Sequence, residues 1–61
     1  MKVFIIMGSL YNNNNDCFDT LIAGVFSNFD EALQRSMEYQ ARDEAEGYLS
    51  NYYWVEEWEV K

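Results

Sequence analysis

Val3-Phe4-Ile5-Ile6-Met7 is an unbroken apolar run, rich in β-branched and aromatic side chains and without helical spacing. Successive side chains of a strand point to opposite faces, so Val3, Ile5 and Met7 need cover on one side and Phe4 and Ile6 on the other. Such a strand belongs in the middle of a sheet. The cover must come from few residues, because the chain has 61 and a domain of that size buries only roughly 60% of the surface its unfolded form exposes.

The first strand is expected over Lys2–Met7 and ends at Gly8-Ser9. Residues 8 to 17 hold Gly, Ser, four consecutive Asn and Asp16, all turn formers, and are expected to form an exposed loop. Phe18 to Phe26 is a second strand, with Gly24 marking a bulge or a close backbone approach. A helix then starts at Ser27-Asn28: Ser27 with Asp30, or Asn28 with Glu31, is the pattern of an N-cap followed by first-turn acids. The spacing predicts a helix over Asn28 to Glu46 with Gly47 as its C-terminal cap. Phe29, Ala32, Leu33, Met37, Ala41 and Ala45 form the stripe expected to face the sheet, with Glu31–Arg35 and Glu38–Arg42 as surface pairs. From Asn51 to Val60 a period of two returns and predicts a third strand. Tyr52, Trp54, Glu56, Trp58 and Val60 share one face; Tyr53, Val55, Glu57 and Glu59 share the other, which is expected to look toward solvent.

The element order is therefore β-β-α-β. A right-handed crossover from the second strand through the helix sets the third beside the first. The fold class is α+β: a three-stranded antiparallel sheet, order 2-1-3, with one helix on one face, and residues 1–61 forming a single small domain.

Eleven Asp and Glu against four Lys and Arg give a net charge of -7. That balance repels phosphates and anionic lipid, so neither direct nucleic-acid binding nor membrane binding is expected. The apolar run is too short to span a bilayer and lacks the flanks of a signal peptide. A lone thiol at Cys17 fits a reducing compartment, and a cytoplasmic location is expected.

Without histidine and with one cysteine, the chain cannot build a Ser-His, Cys-His or zinc arrangement. Glu56 and Glu57 adjoin but point to opposite faces, and Glu57 with Glu59 reads as a solvated edge rather than an acid–base pair. Asp16 and Asp19 lack the ligand spacing of a calcium loop, and Gly8-Ser9 lacks the second glycine and the lysine of a phosphate loop. Trp54 and Trp58 could form a stacking platform, but a place opposite the helix stripe assigns them to core packing. No cofactor, metal or catalytic activity is expected.

At Gly24-Val25-Phe26-Ser27, followed by Phe29-Asp30-Glu31-Ala32, and again at Tyr53 to Val60, the chain resembles a family of small uncharacterised phage and bacterial proteins. These open with a strand like Met1 to Ile5, carry a "GVFS" strand end before the helix and close with an acidic-aromatic strand. The resemblance implies a phage-associated origin and, by association, an inhibitor of a host defence protein or host enzyme acting in the host cytoplasm.

Two functions follow as expectations. In the first, Glu56, Glu57 and Glu59 on the strand, with Glu38, Asp43, Glu44 and Glu46 on the helix, present negative charge to a host protein that handles nucleic acid. In the second, the chain is a structural or regulatory homo-oligomeric module whose acidity serves only solubility. A homodimer is expected in either case: one helix covers one sheet face, and no disulfide or metal compensates. The alternative cover is the 8–17 loop folding back with Leu10 and Tyr11.

Overall fold

The computed structural model describes residues 1–12 and 14–60. Strand β1 runs Lys2–Asn12, β2 Cys17–Phe26 and β3 Tyr52–Glu59, and helix α1 spans Phe29–Ala45. The sheet order is β2-β1-β3 and both ladders are antiparallel, so the apolar first strand is central, as its composition requires.

Strand β1 is longer than its apolar run. Gly8–Asn12, expected as loop, continues the ladder, with Ser9 opposite Thr20 and Tyr11 opposite Phe18. Cross-strand side chains outweigh the turn propensity of Gly, Ser and Asn here. The Tyr11 and Phe18 rings meet edge on at 5.4 Å, and Asn12 donates to the Asp19 carboxylate at 3.0 Å. The turn itself is short. Asn14 donates its N–H to the Asn12 side chain at 2.9 Å, Asp16 takes a left-handed φ of 51°, and the Tyr11 hydroxyl bonds to Asp16. Asn13, part of the Asn run, lies outside the described residues. With Leu10 and Tyr11 held in β1, this segment is not a lid. Cys17, placed in the loop by the sequence reading, is the exposed first residue of β2.

Opposite β1, Ile6 pairs with Gly24 but Met7 pairs with Ile22, leaving Ala23 as an extra residue. This bulge sits beside the glycine that the sequence marked. It also resets the alternation, so Val25 and Ile22, three residues apart, fall on the same face.

The helix is capped as its ends suggest. Asn28 accepts from the Glu31 N–H at 3.2 Å. At the other end Gly47 N–H bonds to Glu44 C=O and Tyr48 N–H to Asp43 C=O at 2.8 Å, a Schellman motif with Gly47 at φ +90°. The face turned to the sheet matches the expected stripe only in part: Phe29 and Ala32 face the sheet, and Leu33 and Met37 do not. Ala32, Ser36 and Asp43 are buried, whereas Leu33 and Met37 are 42% and 64% exposed. Small residues let the helix approach closely over Ile6, which is fully buried, and Phe29 packs edge on against Phe4 at 5.6 Å. The expected surface pairs are also rearranged: Arg35 turns to Glu38 and Arg42 to Asp43.

Candidate functional site

The helix lies on the β1 face that carries Phe4, Ile6 and Gly8. Phe4 touches Phe29, and a methyl group on Gly8 would stand 2.9 Å from the Tyr53 ring. In β3, Tyr53 and Val55 pair with Gly8 and Ile6, so they sit under the helix rather than toward solvent. The Trp face is the one turned away. The placement of Trp54 and Trp58 in a helix-covered core is thereby corrected: the error in the helix stripe carried over to β3.

On this uncovered face Val3, Ile5 and Met7 of β1 run between Ile22 and Val25 of β2 and Trp54 and Trp58 of β3. Its outer members are open, with Ile22 62%, Val25 59% and Trp58 52% exposed. Glu56 stands in the middle of the β3 row and accepts from both neighbours, from the Trp54 indole at 2.8 Å and the Trp58 indole at 3.0 Å. Its two oxygens thus each hold one indole ring. Tyr52 extends the row, stacked on Trp54 at 5.7 Å, and the Tyr11–Phe18 pair continues the aromatic surface at the hairpin end. An apolar face of this kind, fixed by internal hydrogen bonds, is suited to contact with another macromolecule.

The seven acids expected to act together are dispersed. Asp43 is buried, accepting from the Tyr53 hydroxyl at 2.6 Å, from Asn51 at 3.0 Å and from Arg42 at 3.3 Å, so it presents no charge to a partner. Burial is the largest single influence on its carboxyl and raises the pKa, but the three donors and the Arg42 charge together hold it below the usual value. Glu56 is engaged by the indoles. Glu57 and Glu59 are exposed on the opposite face near the start of the helix, where Lys2 lies 3.5 Å from Glu57. Glu44 and Glu46 lie at the far end of the helix, and Glu38 pairs with Arg35 at 3.3 Å. The sequence reading missed Glu56 as an indole clamp and Ile22 with Val25 as its companions. The period of two in β3 had already set Glu56 between the two tryptophans, but the bulge that aligns Ile22 with Val25 has no sequence signal beyond Gly24.

Among the described residues no cluster of His, Cys, Asp and Glu could hold a metal ion, and no helix is long and apolar enough to cross a membrane. The family model described as "Domain of unknown function (DUF7336)" matches residues 1–61. No curated protein and no solved structure matches the chain.

Proposed function

We propose that this chain, which belongs to the family described as a domain of unknown function (DUF7336), is a non-enzymatic protein-binding module that pairs with a second copy of itself through the uncovered sheet face. The observation that carries this reading is the Trp54–Glu56–Trp58 clamp on the same face as Ile22 and Val25, which lie across β1 from it. Left to water, that face would expose large side chains in one contiguous patch, and two-fold pairing uses one patch twice. Sedimentation equilibrium tests it. The wild-type chain should approach twice its 7.3 kDa at micromolar concentration, and Ile22→Lys with Val25→Lys should sediment as a folded monomer. A concentration-independent mass of one chain for the wild type overturns the pairing.

The exposed Glu57 and Glu59, of which Glu57 lies 3.5 Å from Lys2, support a second reading. In it the protein is an inhibitor, phage-encoded as the sequence resemblance implies, that meets a basic site on a host defence or nucleic-acid-handling protein. Association would then be steered by charge and fall steeply with salt.

A further inference from the structure

Strand β3 is an edge strand: among the described residues β1 pairs with one side of it and no strand pairs with the other. The side chain of Gln40 occupies the start of that open edge. Its Nε2 donates to the Asn51 carbonyl at 2.8 Å, and its Oε1 accepts from the Tyr53 N–H at 3.0 Å. A carboxamide is chemically a peptide group, and this donor–acceptor pair is what a neighbouring strand would supply. Backbone alternation turns the N–H and C=O of Val55 and Glu57 toward the same side, beyond the reach of Gln40.

Beside this edge runs an open groove of about 780 Å³, walled by Phe29, Leu33 and Met37 of the helix and floored by Tyr53 and Val55. Leu33 and Met37, displaced from the core by Ala32 and Ser36, are the apolar wall of that groove. Its lining includes Glu44 and contains no Lys or Arg, and Glu57 lies further along the same edge.

We propose that the free edge of β3 takes an extended peptide as a fourth strand, one whose helix-facing positions, every second residue, are apolar in the middle for the Leu33–Met37 wall and basic at the two ends for Glu44 and Glu57. Main-chain bonds to Val55 and Glu57 continue the pattern that Gln40 begins, and the alternate side chains give selectivity. A second copy of β3 is the poorer occupant, because it would bring its own Glu56, Glu57 and Glu59 against an acidic edge. This site is separate from the uncovered face and does not depend on dimerisation.

The test is fluorescence anisotropy with a short labelled peptide, Lys-Thr-Val-Thr-Val-Thr-Lys, whose alternate residues set two valines between two lysines on one face. Saturable binding is expected, weakened about tenfold or more when alternate backbone nitrogens of the peptide are methylated, since that removes strand hydrogen bonds but not charge. Two variants locate the site. Glu57→Pro deletes an outward N–H without touching the ladder to β1, and Met37→Arg places a cation on an exposed wall; each should weaken binding by a similar factor, with thermal melts verifying that both fold. The proposal is overturned if the parent peptide shows no saturable binding, if methylation leaves binding unchanged, or if Met37→Arg binds as well as wild type. It also falls if either variant abolishes self-association instead, since the edge would then be a contact between copies.

Discussion

The Tyr53 hydroxyl donates to Asp43 Oδ2 across 2.6 Å, joining the last turn of the helix to β3. Asn51 reaches the same carboxylate oxygen at 3.0 Å, and Arg42 the other at 3.3 Å. One carboxylate therefore ties the helix to the segment that leads into β3 and to that strand itself. No side-chain nitrogen or oxygen buried among the described residues lacks a partner, and Asp43 is the group whose loss would change that most.

Replacing Asp43 with Asn should cost about 1–3 kcal/mol, because Asn cannot accept from all three donors as a carboxylate does. The cost should depend on pH. Folding holds the Asp43 pKa below its ordinary value, so its contribution is fully present above about pH 4 and is lost as pH falls through the folded-state value. Urea unfolding of both proteins from pH 7 downward checks this: the gap between them should close on the acid side.

Tyr53 gives the opposite window. Burial first, and then the hydrogen bond to the Asp43 carboxylate, raise its pKa above 10. Stability from the neutral phenol is present below about pH 10 and is lost as pH rises through the folded value. Tyr53→Phe should be less stable at pH 7 by about 1 kcal/mol and should show a weaker loss of stability under alkaline conditions. Phenolate absorbance during a pH titration follows the ionisation directly.

Gly8 and Tyr53 are coupled by space. A methyl group at Gly8 would lie 2.9 Å from the Tyr53 ring, and that ring is anchored by Asp43, so Gly8→Ala should destabilise by about 1–3 kcal/mol. In a double-mutant cycle with Tyr53→Phe the two costs should not add, because the first change already strains the bond that the second removes. Strict additivity in denaturant melts would show that the ring shifts freely.

The corrected helix face makes a paired prediction. Ala32→Asp should abolish cooperative unfolding, since Ala32 is fully buried against the sheet. Leu33→Asp, by contrast, should fold and melt within about 1 kcal/mol of wild type, as expected for a surface change. Far-ultraviolet circular dichroism during heating separates the two.

The elements themselves were legible because their signals are local. The apolar run at Val3–Met7, the Asn28 cap and Gly47 each declare themselves within a few residues, and sheet order followed from chain connectivity. The helix face was legible only in part. Phe29 and Ala32 were selected correctly, but Leu33 and Met37 carry more apolar surface than Ser36 and Asp43, so hydrophobic spacing selects them, whereas close approach of the helix to the sheet selects small and hydrogen-bonded side chains. Asp43 read as surface charge because its partners Asn51 and Tyr53 lie eight and ten residues away, outside any helical spacing. The extension of β1 through Gly8–Asn12 was hidden for the same reason: the pairs that hold it, such as Tyr11 with Phe18, belong to the opposite strand.

The pairing of β1 with β3 also orders events during synthesis. Lys2 must wait for Glu59, and Ile6 for Val55, while β2 follows β1 across a short turn. A nascent chain that has emerged only as far as Ser50 lacks the strand that anchors Asp43, and one side of its most apolar strand has no neighbour. In that interval the edge of β1 is open to any other chain able to pair with it. The arrival of the Tyr52–Glu59 segment both completes the sheet and moves the open edge from an apolar strand to one bearing Glu56, Glu57 and Glu59.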